Sequence, residues 1–218
     1  MKAEAVPKRV RAHTIYTLAD GTVVPGVTTV LQVLNKPALV VWANKLGLAG
    51  IDSTKFVDEK AAIGELAHQM IADHLRGVQT DTSEYSKQQI DQAENAVLSF
   101  LEWAKHKQIS PIFVEEPMVS EQYRFGGTPD CLASINGEFT LLDIKTSAAI
   151  FPEMLIQVAA YRQLVIEHGH MPQKLIIVRI GRTTDEGFEE RLVNHVDKRL
   201  EIFLHALAIY NLQKELRG

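Results

Sequence analysis

The stretch Gly126–Ser147, GGTPDCLASINGEFTLLDIKTS, sets Asp130, Asp143 and Lys145 into otherwise apolar, strand-like sequence. Asn136-Gly137, between the two strand-like runs, predicts a two-residue type I′ hairpin turn. Counting outward from that turn pairs Ile135 with Glu138, Leu132 with Leu141, Cys131 with Leu142 and Asp130 with Asp143. Opposed residues share a face with Cβ atoms about 4.5–5.5 Å apart. Lys145, two residues beyond Asp143, lies on that face too.

Two like charges opposed across a ladder repel unless something positive sits between them. Hard carboxylate oxygens suit Mg²⁺ or Mn²⁺. Lys145, too far along the strand to neutralise both carboxylates, would position or activate a water. The competing reading sets both aspartates at frayed strand ends in solvent, with Lys145 screening them. Leu141, Leu142 and Ile144 surround Asp143 and make full solvation awkward, which favours a metal site.

Those residues need elements to hold them. Residues 14–24 predict a small hairpin turning at Asp20-Gly21. KPALVVWANKLG predicts a helix with Pro37 near its start and Gly47 at its end. VDEKAAIGELAHQMIADHLRG predicts a helix ending at Gly77, and QQIDQAENAVLSFLEWAKHKQ a long amphipathic one. PIFVEEPMVS, PDCLASI and EFTLLDIKTS then read as strands. A helix over Pro152–His168, a buried-type strand KLIIVRIG, a further strand GFEERLV and a final helix over Lys198–Leu216 complete the chain. Helices followed by β-β-β-α-β imply an α/β fold, a mixed sheet flanked by helices. The 218 residues are expected to form one domain, with residues 1–110 mainly helical and 111–218 holding the sheet.

Composition narrows the classes. Hydrophobic residues at 46% and charged residues at 23% are ordinary globular values and argue against disorder. A net charge of −4 counts mildly against a protein that coats nucleic acid by electrostatics alone, but not against one whose acids hold cations. Cys131 is the only cysteine, which excludes an intrachain disulfide and any cysteine-rich metal site. No apolar run reaches the ~18–20 residues of a membrane span. The basic N-terminus is short and contains Glu4, against a transit peptide. A cytoplasmic setting, in a bacterial or phage-infected cell rather than a mitochondrion, is expected.

Asp130 and Asp143-Ile144-Lys145, with 12 residues between the aspartates, resemble the PD-(D/E)XK nuclease superfamily. Gln157 and Tyr161 form Q-x-x-x-Y on the following helix, as in its RecB-like and Cas4-like branch, and i,i+4 spacing puts both on one helix face. His68 in GELAH resembles that branch's G-x-x-x-H motif, with Gly64 one turn earlier allowing close approach. VEEPMVSEQYRFGGTPD resembles its E-x-P stretch; Glu115 aligns best and Glu116 follows. PGVTTVLQVLNKPALVVWANKLG is similar to openings in phage-type and mitochondrial genome-maintenance-type exonucleases. The matches run in family order from Val24 to Tyr161.

The resemblance implies a restriction-endonuclease-like core and Mg²⁺- or Mn²⁺-dependent hydrolysis of DNA phosphodiesters, by an exonuclease acting on a free or single-stranded end. It implies one or two ions held by Asp130, Asp143 and the Ile144 carbonyl, with His68 and Glu115 completing the site. Lys145 would hold the attacking water or stabilise the transition state, and Gln157 and Tyr161 would orient Lys145 or the DNA. Ser147, Arg162, Arg179 and Arg182 are candidate phosphate contacts. One cysteine cannot hold the iron–sulfur cluster common in Cas4-like proteins. A catalytically retired nuclease fold that binds DNA ends or a partner is the rival, and the complete D…DxK set counts against it.

Overall fold

The computed structural model describes residues 14–34 and 36–217; the basic N-terminal stretch lies outside them. β1 (Tyr16–Thr17) and β2 (Val23–Val24) form the expected small hairpin. Thr22 N–H donates to Asp20 Oδ1 at 2.8 Å, and Gly21 takes a φ of +83° that most side chains resist.

α1 (Val27–Val30) leads through a 3₁₀ turn to α2 (Pro37–Leu48), which starts at the proline. α3 (Ser53–Arg76) is capped by Asp52, whose carboxylate accepts the Thr54 and Lys55 N–H groups, and it stops at Gly77 in the left-handed region. α4 (Lys87–Ala104) opens with a capping box between Ser86 and Gln89. The remaining elements are β3 (Ile109–Val114), β4 (Met118–Ser120), β5 (Phe125–Gly127), β6 (Cys131–Ile135), β7 (Glu138–Lys145), α5 (Pro152–Glu167), β8 (Lys174–Ile180), β9 (Phe188–Leu192) and α6 (Val196–Glu215).

The main sheet runs β3-β6-β7-β8-β9. β7 and β8 are parallel, joined through α5, and the other neighbours are antiparallel. This is the mixed α/β architecture expected from the sequence. Strand alternation divides the core. Leu132, Leu141, Leu175 and Ile177 face α5 and α6, while Cys131, Ala133, Leu142, Ile144, Ile176 and Val178 face α3 and α4. β8 lies inside the sheet with both faces covered, which explains its unbroken apolar run.

PIFVEEPMVS is not one strand. It divides into β3, in the main sheet, and β4, which pairs with β5 in a separate two-stranded sheet. Glu115 between them takes φ +50°, and Pro117 lies two residues on, so the chain leaves the ladder there. The β1–β2 and β4–β5 hairpins meet at a parallel bridge between Gly26 and Gly126. Among the described residues, no helix is long and apolar enough to cross a membrane.

The β6–β7 turn has φ +52° at Asn136 and +89° at Gly137, the two positive values a type I′ turn requires. Asn136 also exchanges hydrogen bonds with the Gln108 backbone, tying the turn to the start of β3. A Cβ at residue 137 would meet no neighbour, so only backbone conformation opposes one. Gly137→Ala should therefore cost about 1–2 kcal/mol, read as a lower urea midpoint with an unchanged m-value. An unshifted midpoint would contradict the turn assignment.

Candidate active site

The β6–β7 register from Cys131↔Leu142 to Ile135↔Glu138 is the one counted from the turn. It brings Asp130, Asp143 and Lys145 together at one end of the hairpin. Asp130 lies just outside the β6–β7 ladder, and its carbonyl accepts the Glu115 N–H at 2.8 Å, one step beyond the Val114–Cys131 pair. Its side chain reaches across to β7, and Oδ2 accepts the Ile144 N–H at 2.7 Å. The expected face-to-face ladder pair is thus an Asp130 side chain anchored on the β7 backbone.

Asp143 is 1% exposed. Burial pushes its carboxyl up to about 7; the Lys145 charge opposes that rise and the Asp130 charge adds to it. Lys145 Nζ donates to Asp143 Oδ1 at 2.9 Å and lies 2.7 Å from Oδ2. The lysine therefore pairs directly with one of the two carboxylates. Burial pulls the ammonium down, yet Asp143 and Asp130 together outweigh burial and hold its pKa above the ordinary lysine value.

α3 closes the cleft from the other side. His68 Nδ1 lies 3.8 Å from Asp130 Oδ2. Gly64, one turn earlier, permits this approach, since a Cβ there would stand 2.5 Å from the Thr146 hydroxyl oxygen. On α5, Gln157 Nε2 donates to the Tyr161 hydroxyl at 2.8 Å, so the i,i+4 pair acts as one unit. The Tyr161 ring fits over Gly127, where a Cβ would be 2.7 Å from Cε1. Burial, Asp130 and Asp143 raise the Tyr161 phenol well above its usual value, so it stays a neutral hydroxyl.

The outlying candidates have partners within the chain. Glu115 lies 3.3 Å from the Arg76 guanidinium, which also donates to the Val114 carbonyl at 2.7 Å. Arg179 donates to the Glu186 carbonyl at 2.8 Å and lies 3.5 Å from Glu189. Arg182 grips both Glu186 oxygens, at 2.7 and 3.0 Å, and holds that carboxyl below the usual carboxylate range. Arg162 lies 3.7 Å from the almost fully exposed Asp197. Ser147 Oγ donates to the Ala149 carbonyl at 2.7 Å.

Sequence reasoning missed Tyr16, Thr128, Arg76 and Thr146. Tyr16 shares a 3.0 Å hydrogen bond with Thr128, two residues before Asp130. The consecutive glycines at 126 and 127 were the available signal, since each makes room for a tyrosine ring.

A divalent cation fits this arrangement on a specific observation. Asp130 and Asp143 bring two carboxylates to one place against the single ammonium of Lys145, whose Nζ lies 2.9 Å from Asp143 Oδ1 and 2.7 Å from Oδ2. One ammonium cannot balance two carboxylates, and the surplus negative charge beside a buried group favours a further cation. Among the described residues, no three His, Cys, Asp or Glu side chains form a ready-made cation cage. Mg²⁺ does not need one, because it keeps several waters and binds through one or two carboxylates plus substrate phosphate.

The chain belongs to the PD-(D/E)XK nuclease superfamily, whose family model matches residues 43–214. No curated relative matches the sequence. Among solved structures, a provisionally named exonuclease from Eubacterium rectale aligns over 71% of this chain at 14% identity, with a TM-score of 0.45. This chain spans 66% of that protein's length. The alkaline exonuclease LHK-Exo from Laribacter hongkongensis aligns over 70% of this chain and 84% of its own, at 15% identity and a TM-score of 0.36. These likenesses are too slight to carry a functional argument.

Gly64→Ala should force α3 away from β7, at a cost of about 1–3 kcal/mol in thermal stability. Adding Thr146→Ala removes the obstructing hydroxyl, so the double variant should regain most of the lost midpoint; no recovery would contradict the packing. Away from the cleft, Glu186 titrates lower folded than unfolded, so its pairing stabilises above its ordinary pKa of 4.5 and that share is lost as pH falls. Glu186→Gln should therefore trail the native chain by at most about 1 kcal/mol near neutrality. In urea titrations the gap should close as pH falls below 4.5.

Proposed function

We propose that this protein is a divalent-metal-dependent deoxyribonuclease that hydrolyses phosphodiester bonds from DNA ends. The observation that carries the reading is the convergence of Asp130, Asp143 and Lys145 at one end of the β6–β7 hairpin, two carboxylates against one ammonium with Asp143 buried. Membership of the nuclease superfamily supports the reaction class.

Asp130, Asp143 and the Ile144 carbonyl would hold Mg²⁺ or Mn²⁺, with His68 beside Asp130. The bound ion, or a pair of ions, would lower the pKa of a water and offset the negative charge of the phosphate. Lys145, whose Nζ donates to Asp143, would serve as a hydrogen-bond donor in the cleft. From there it orients the attacking water or steadies the charge that develops on the phosphoryl oxygens. Tyr161, held neutral and fixed by Gln157, supplies a donor on the α5 side of the cleft.

Arg162, in a loose pair with exposed Asp197, and Ser147 remain suited to contacting the DNA backbone. Arg179 and Arg182, held by acceptors of their own chain, serve to order the segment after β8. Glu115, paired with Arg76, would contribute through water and not as a direct ligand.

The test is digestion of end-labelled linear DNA beside covalently closed circles, with Mg²⁺ or Mn²⁺. Linear substrate should be consumed and circles left intact; cut circles would refute action from ends. Lys145→Met should lower turnover by at least about a hundred-fold while DNA binding persists. Chelation should silence the native protein and added Mn²⁺ restore it. Full activity in the variant or in chelator would overturn the assignment.

A further inference from the structure

We infer that Tyr16, on the N-terminal hairpin, is a positioning residue for Asp130: its ring and hydroxyl hold the Gly126–Thr128 strand end that carries this carboxylate into the cleft. The inference rests on the nuclease reading above. It reaches beyond the family match, which begins at residue 43 and does not include Tyr16.

The contact is built from both sides. A Cβ on Gly126 would stand 2.2 Å from Tyr16 Cγ, and one on Gly26 would stand 2.9 Å from Cε2, so the ring occupies space that only glycines leave. Gly127 faces the opposite way and meets the Tyr161 ring. The strand end is therefore gripped between two tyrosines. The Tyr16 hydroxyl then bonds Thr128 Oγ1 at 3.0 Å.

Only Pro129 separates Thr128 from Asp130, and it is buried with its φ fixed by the ring. Displacement of Thr128 thus passes to Asp130 with little slack. The hairpin is itself well fixed. Gly126 N–H donates to the Pro25 carbonyl at 2.9 Å, Ala19 N–H to Glu121 at 2.8 Å, and Asp20 lies 3.5 Å from Arg124. Asp130 keeps two other tethers, to Glu115 N–H and Ile144 N–H, so loss of the Tyr16 bond weakens its placement without abolishing it.

The test compares Tyr16→Phe, which keeps the ring and removes the hydroxyl, with Thr128→Val and the double variant. Mn²⁺ binding to the protein without DNA, followed by electron paramagnetic resonance of free Mn²⁺, should weaken about ten-fold in each single variant. The double variant should be no weaker than either single one, because both remove the same bond. The KM for DNA should stay within two-fold of native, and amide exchange should speed up at residues 128–131 while the sheet is unchanged. Native-like Mn²⁺ affinity in both single variants, or losses that add in the double, would overturn the role of Tyr16 while leaving the nuclease reading intact. A native protein that neither binds Mn²⁺ nor cleaves DNA would remove both. Should Tyr16→Phe fold poorly, Thr128→Val alone decides: a native-like Mn²⁺ affinity there refutes the inference.

Discussion

The arrangement of this protein depends on keeping the Asp143 carboxylate inside the sheet next to Lys145. Removing an ion from water costs several kcal/mol even after the protein relaxes. Lys145 offsets part of that cost, its Nζ lying 2.9 Å from Oδ1 and 2.7 Å from Oδ2. Asp130, itself anchored by the Ile144 N–H, adds a second negative charge at the same place. A fold assembled for stability alone gains nothing from this concentration of charge. A site that takes up a cation and a phosphate gains a polarised, largely dehydrated pocket from it.

Much of the surrounding structure keeps that charge cluster narrow and stiff. α3 approaches β7 closely because residue 64 has no side chain, and this proximity sets His68 beside Asp130. α5 presses Tyr161 onto Gly127, and the N-terminal hairpin presses Tyr16 onto Gly126. Glycines in this neighbourhood act as seats for other residues more than as hinges. Arg76, Arg179 and Arg182 perform a comparable task with charge, each closing a loop or strand end through carbonyl or carboxylate partners. Their guanidinium groups are occupied by the chain itself.

The sheet and its helices were legible because they follow from local rules. Asn136-Gly137 sets a hairpin register by itself, Gly77 and the Ser86–Gln89 box mark helix ends, and the apolar run of β8 requires cover on both faces. The division of residues 109–120 into two sheets was less legible. It turns on one positive φ at Glu115, and neither of two adjacent glutamates advertises which will adopt it. The tyrosine clamp was hidden for a different reason: Tyr16 and Thr128 lie 112 residues apart, and no periodicity links them.

Sequence alone determined the order of the elements, the register of the central hairpin and the identity of the residues gathered at its end. Each of these depends on neighbours a few positions away, where backbone geometry leaves little choice. Tertiary structure decided which carboxylate Lys145 serves, where the Asp130 side chain is anchored and which arginines are already engaged. Those outcomes depend on how closely distant segments approach and how much water they displace, and spacing along a chain records neither.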